Sequence, residues 1–210
     1  MAYRETEKMR QRKAETRQRI IDCTYECIAS GGFRNARITR IASLAGVATG
    51  TIYRHFESQE ELFAEVFRLA TQREVDKVAK LLATNESSTD RLESALRQFA
   101  ERALRGPMMA WALIAEPVDS KVDEERLTYR KAYASLFEKA IREGIEEGCI
   151  PDQNARQSST CLVGAIAESL VGPLSPTQLD GAASATTNDN DSLVDTIIRF
   201  CMQGLTGTRR

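Results

Sequence analysis

Residues 39–56, TRIASLAGVATGTIYRHF, read as two short helices joined by a tight glycine turn, and that unit obliges the chain to build a small helical head around it. Thr39 is a good N-cap, because its hydroxyl can accept from an otherwise unpaired amide one turn into the helix. Ile41, Ala42, Leu44 and Ala45 supply an apolar stripe, and Gly46 stands where a left-handed residue ends the helix. Val47 plugs the corner. The second helix restarts around Ala48 or Thr49, with Ile52 and Phe56 four apart and able to pack inward. Thr49, Gly50, Thr51, Tyr53, Arg54 and His55 are left for the outer side. Small residues there let the backbone approach a duplex, and hydroxyls, a phenol and a guanidinium can bond to phosphates or base edges. A helix pair of this kind docks in the major groove.

Thr39, Ile41, Ala42, Ala45, Gly46, Val47, Gly50, Thr51, Tyr53, His55 and Phe56, followed by Glu60, Leu62 and Phe63, resemble the DNA-binding signature of the tetracycline-repressor (TetR) family of bacterial transcriptional regulators. The resemblance directly covers residues 15–65 of the chain. It implies an all-α fold of about nine helices, with a three-helix helix-turn-helix DNA-binding domain followed by a helical ligand-binding and dimerisation domain. On this reading the first domain is residues 1–57, with an arm at 1–13, and the second is residues 58–210. The resemblance also implies a homodimer on double-stranded operator DNA, most commonly a repressor, that responds to a small-molecule effector. The expected DNA-binding residues are Thr39, Arg40, Thr49, Gly50, Thr51, Tyr53, Arg54 and His55, with phosphate contacts expected of Tyr53 and His55. Two residues depart from the family pattern. Ala48 stands where a serine N-cap is usual, and Gln59 where a lysine commonly reaches a phosphate.

The charge distribution supports a split of tasks. Residues 1–56 hold 11 Lys or Arg against 5 Asp or Glu, and the remaining residues hold 18 against 25, so a basic front faces an acidic rear. That asymmetry suits a DNA-binding head on a body that does not bind DNA. The five cysteines are an odd number scattered through a chain with no secretory leader, which points to a reducing cytoplasm. No apolar run approaches the roughly 20 residues of a membrane span. A glycine-rich phosphate loop, a GxSxG turn, paired histidines and a cysteine with a base beside it are all missing, so neither an enzyme nor a cofactor is expected. Cys23 and Cys27 lie four apart on one helical face, but the only histidine is His55 in the DNA motif. Small buried hydrophobes are the expected reading of these two, and no metal is expected.

Further along, apolar spacing predicts a first helix over residues 14–30, stopped by Gly31 and Gly32, with Phe33 closing the small core. Lys8, Arg10, Arg12 and Lys13 of the arm either lie on phosphates or are simply solvated. Ser58 and Glu61 form a capping box that opens a long helix to about Leu82. Thr89 or Asp90 caps the next, and Pro107 opens a short helix that is apolar nearly all round and therefore central. A long helix over 119–148 should turn Leu127, Ala134, Phe137, Ile141 and Ile145 inward. Helices over 154–171 and 192–205 follow, joined by a polar loop over 173–191.

Two sets of body residues admit two readings each. Cys161, Ala165, Ile166, Leu193, Ile197, Ile198, Phe200 and Cys201 either form the dimer contact that the resemblance implies or fill the protomer core. Phe67, Phe99, Met108, Met109, Trp111, Ile114, Tyr129, Tyr133 and Phe137 either line an apolar effector cavity or are plain core. Outside ligand-responsive DNA binding, the alternatives are an activator of the same fold and a non-catalytic helical dimer acting through protein partners. Residue types do not give the operator sequence or the effector.

Overall fold

The computed structural model describes residues 6–177 and 187–207, and every regular element among them is helical. The elements are α1 (Glu7–Asn35), α2 (Ile38–Leu44), α3 (Thr49–Ile52), α4 (Gln59–Leu82), α5 (Ser88–Arg105), α6 (Pro107–Ile114), α7 (Ser120–Glu146), α8 (Ala155–Leu174) and α9 (Thr187–Thr206). The all-α class and the nine helices of the expectation are both found among the described residues.

Side-chain oxygens start most of these helices. Ser58 accepts from the Glu61 amide, Ser87 from Asp90, Asp119 from Lys121 and Val122, and Asn154 from Gln157. The capping box of α4 closes one residue early, since the Glu61 carboxylate accepts from the Glu57 amide rather than from Ser58. On α5 the cap is Ser87, ahead of the expected Thr89 or Asp90.

The head is α1 to α3 folded around Ile20, Ile28, Ile41, Ile52 and Phe56, all essentially inaccessible. Arg19 fastens it by donating from Nε to the carbonyl of Ala45 at the end of α2, 2.8 Å away. Behind it, α4 packs on α1, α5 and α7, while α9 closes over α5 and α8. The short α6 touches both α1 and α8, so it sits between head and body.

Several sequence expectations are corrected. Residues 7–13 are helical, because the Thr6 hydroxyl caps α1 and the pairs Arg10 with Glu7 and Gln11 with Glu15 support an exposed turn that needs no apolar face. The expected arm over residues 1–5 lies outside the described residues. Thr39 is not an N-cap: α2 begins at Ile38, with Arg37 as cap and no side-chain bond, which brings Ile38 into the core beside Ile41. Leu44 and Leu127 are half exposed rather than inward. The buried line of α7 instead runs through Tyr129, Tyr133 and Phe137, a spacing that leaves Leu127 on the far side. In α6 only Ala110 and Ala112 are buried: Met109, Leu113 and Ile114 border a cavity instead of solid core, and Met108 and Trp111 are half-buried on the other flank. α9 begins five residues before the expected start, at Thr187, and residues 178–186 of the expected loop lie outside the described residues.

Candidate nucleic-acid interface and internal cavity

The turn between α2 and α3 is made as the sequence requires, with Gly46 at φ +63° and nothing within 4 Å of where a Cβ would stand. Ala48 caps α3 through its backbone alone, in an extended conformation with no side-chain bond. Thr39, Arg40, Thr49, Gly50, Tyr53 and Arg54 are exposed, and Thr51 and His55 are half-buried. The eight residues thus lie on or at the edge of the surface of the helix pair. Tyr53 is an exposed aromatic, and Gly50 has open space on its Cβ side.

One group of cations was not legible as a group. Arg10, Lys13 and Arg17 of α1 meet Arg54 and His55 around a shallow depression beside α3. Their spacing of three and four residues places them on one helical face, a signal that could be read only if α1 extended back to Glu7. Arg17 also lies over the Phe56 ring, 4.7 Å from its centre, and pairs with Glu65 at 3.3 Å. Burial, then Lys13 and Arg17, hold the His55 imidazole below its ordinary value of 6.5, so the free head keeps it neutral near pH 7.

A phosphate placed against this ring would raise its proton affinity, and DNA binding through His55 would then take up a proton. Operator affinity is therefore expected to rise as pH falls from 7.5 through the bound-state value, and to flatten below the free-state value. Anisotropy titrations of wild type and His55→Gln across that range check this, with the slope expected to vanish in the variant.

Head and body are joined by a buried carboxylate. Glu116, just beyond α6 and 6 % exposed, accepts from the amides of Phe33 at 2.8 Å and Arg34 at 3.0 Å. Those amides are free because α1 breaks at Gly32, whose φ is +71° and whose missing Cβ would come within 2.7 Å of the carboxylate. Arg126 of α7 braces the same place, donating to the carbonyls of Ala112, Leu113 and Glu116 at 3.2, 3.1 and 2.8 Å. Nothing in the sequence signals this clasp: its partners are about 80 residues apart, Gly32 reads only as part of a helix stop, and Glu116 belongs to no recognisable pattern.

Arg126 also borders a cavity of about 210 Å³ between α4, α5, α6, α7 and α8. Of the nine expected lining residues, Phe67, Phe99, Met109, Ile114, Tyr129, Tyr133 and Phe137 border it. Met108 and Trp111 do not, because helical spacing puts them on the flank of α6 turned away from Met109, Ala110 and Leu113. Ile166, for which the sequence admits either the dimer contact or the protomer core, borders this cavity. The charged members were missed: Glu74, Arg102, Arg126 and Arg130. Arg126 and Arg130 share the α7 face of Tyr129 and Tyr133, so continuing that stripe to its polar neighbours would have found them. Burial alone pushes the Glu74 carboxyl up, but hydrogen bonds from Arg102 and Lys77 outweigh it and leave it below its ordinary value. Arg130 is exposed at the cavity edge and has no carboxylate partner among the described residues.

On α8 and α9, Cys161 and Phe200 are exposed and Ala165 and Leu193 half-buried, whereas Ile197, Ile198 and Cys201 are buried within the protomer. Cys27 is fully buried and Cys23 half-buried; burial first, with Glu26 contributing, raises both thiols above their ordinary value, the reverse of what a metal ligand needs. Burial takes the Cys201 thiol up to about 11. No group of three or more metal-ligating side chains occurs among the described residues, and none of their helices is long and apolar enough to cross a membrane.

A basic helix-turn-helix head carried on a larger helical body defines a DNA-binding regulator of transcription. Residues 20–66 match the model of the bacterial regulatory proteins of the tetR family. The DNA-binding head is thus that of the TetR family of transcriptional regulators. It is 23 % identical to the fatty acid metabolism regulator protein of Bacillus subtilis over 165 residues, 77 % of this chain and 84 % of that one. With the transcriptional repressor KstR2 of Rhodococcus jostii it shares 26 % identity over 140 residues, 65 % of this chain and 68 % of the other. Its fold is similar to that of the transcriptional regulator FadR from Bacillus subtilis in complex with stearoyl-CoA, with a TM-score of 0.72 and 20 % identity over 90 % of this chain and 98 % of that one. These relatives are named as regulators rather than as enzymes.

Proposed function

We propose that the protein is a homodimeric repressor, acting in the cytoplasm, that holds its operator through α2 and α3 and leaves it when an acyl thioester of coenzyme A enters the cavity. The observation that carries this reading is the cavity itself, whose walls are mainly apolar and whose edge holds Arg130, a cation with no carboxylate partner among the described residues. An apolar chain suits such walls, and an anionic head suits such a cation. The FadR structure with stearoyl-CoA and the fatty acid metabolism regulator among the relatives support that choice of ligand. The name of KstR2 supports repression.

On this reading residues 1–57 bind DNA, and residues 58–210 hold the ligand and the dimer contact. Thr39, Arg40, Thr49, Gly50, Thr51, Tyr53, Arg54 and His55 meet the duplex, joined by Arg10, Lys13 and Arg17. The dimer contact uses the exposed side of α8 and α9, through Cys161, Ala165, Leu193 and Phe200. Four helices from two chains form a bundle there, and two heads reach two half-sites.

Release follows if the ligand favours a different spacing of the heads. The wall residue Arg126 grips the end of α6, and Glu116 carries any shift there to the last turn of α1, directly ahead of α2. The test is an anisotropy titration of a promoter fragment from immediately upstream of the protein's own gene, in the presence of octanoyl-, dodecanoyl- and stearoyl-CoA. At least one chain length is expected to weaken binding tenfold or more, about 1.4 kcal/mol of coupling. Unchanged affinity with all three would refute the acyl-thioester reading.

A further inference from the structure

Three buried polar side chains line the cavity: Thr71, Tyr129 and Tyr133. Two of them are engaged. The Thr71 hydroxyl donates to the carbonyl of Phe67 at 2.7 Å, and the Tyr129 hydroxyl donates to that of Arg68 at 2.9 Å. The half-buried charges are engaged as well. Arg102 binds both oxygens of Glu74 at 2.7 Å, Lys77 adds a third bond at 2.9 Å, and Arg126 is held by carbonyl oxygens and Asp123.

Tyr133 is different. It is 9 % exposed, its ring is held edge-on by Phe99 with centres 5.6 Å apart, and its hydroxyl has no hydrogen-bond partner among the described residues. The oxygen is not sealed within protein, since the fully enclosed side-chain atom without a partner is Arg91 Nε. Neither sealed nor paired, it belongs to a side chain that lines the cavity. Burial first, then Glu74, keeps the phenol well above its ordinary value, so the group remains a donor at any physiological pH. A donor in this position is left unpaired by a wholly apolar ligand and satisfied by one that brings an acceptor.

We propose that Tyr133 donates to an oxygen on the apolar body of the effector, so that the cavity selects a keto- or hydroxy-substituted compound over its unsubstituted counterpart. This deepens the ligand-release reading and rests on it for the link to DNA, but the selection itself belongs to the cavity. The locked ring makes Tyr133 a specificity-determining residue, because its oxygen has a fixed position and any ligand oxygen must come to it. The apolar remainder of the cavity fixes where the carbon skeleton lies.

Two matched probe pairs test this by calorimetry on wild type and Tyr133→Phe. The first pair is decanoyl-CoA and 3-hydroxydecanoyl-CoA. The second, ethylbenzene and acetophenone, differs by one carbonyl, carries no anionic head, and has a ring of the size that cavities of about 150 Å³ accept. Wild type is expected to bind the oxygenated member of at least one pair about tenfold more tightly. Tyr133→Phe is expected to abolish that preference, to bind the unsubstituted member at least as tightly as wild type does, and to melt within about 2 °C of wild type. A preference kept by the variant, or members of both pairs bound equally or not at all by wild type, overturns the proposal. Discrimination within the ring pair alone, with neither thioester bound, upholds the role of Tyr133 and removes the thioester reading instead.

Discussion

Glutamate in place of Gly50 is expected to weaken promoter binding more than a hundredfold at moderate salt while leaving the melting temperature within about 2 °C of wild type. Gly50 lies in α3, is exposed, and has nothing within 4 Å of its Cβ position, so a side chain there meets no protein atom. The same space is where α3 is proposed to meet DNA. A carboxylate introduced there faces phosphate in both half-sites, and like charges brought together at an interface cost several kcal/mol. Gly50→Ala separates bulk from charge and is expected to cost far less. Anisotropy titrations with the promoter fragment, beside thermal melts, check all three proteins. Binding by Gly50→Glu within threefold of wild type would place the interface elsewhere.

The second large effect is expected at Glu116. Removing its carboxylate by Glu116→Ala leaves the Phe33 amide buried without an acceptor and frees the Arg34 amide, at a cost of about 2–4 kcal/mol. For a chain of this length the melting temperature should fall by roughly 5–10 °C. Loss of ligand response is the more informative outcome. The clasp is the hydrogen-bonded link from α6 to the last turn of α1, so the variant is expected to bind promoter DNA yet be released poorly by an acyl thioester that releases wild type. Glu116→Gln keeps an acceptor oxygen and should lie between the two. If Glu116→Ala responds to ligand as fully as wild type, coupling runs through α4 and its other contacts with α1.

What the sequence disclosed, and what it withheld, follows from the range of the interactions. The helix pair was legible because its determinants are local: Gly46 for the turn, Ile52 and Phe56 for the buried side, Ser58 and Glu61 for the next start. Seven of the nine expected residues do border the cavity, because aromatic and methionine side chains at helical spacing mark an inner face. The same rule misplaced Trp111 and Met108, since α6 is apolar all round and periodicity cannot choose its face. Ile166 was left between dimer contact and protomer core for a related reason: α8 has apolar residues on more than one side, and only its packing against α6 and α7 shows which one meets the cavity. The clasp of Glu116 on Gly32 and the meeting of Arg10, Lys13 and Arg17 with Arg54 are tertiary juxtapositions of ordinary residues. Beyond the helical spacing of Arg10, Lys13 and Arg17 themselves, neither leaves a local signal.

The central claim is that cavity and DNA face are energetically joined, and linkage makes it testable from either end. The most direct measurement is the affinity of dodecanoyl-CoA for the protein alone and for the protein saturated with its promoter fragment, set beside the promoter affinity with and without that thioester. The account predicts two ratios that agree and exceed about tenfold, because a coupling free energy is reciprocal. Thioester binding of equal strength to free and DNA-bound protein would contradict it.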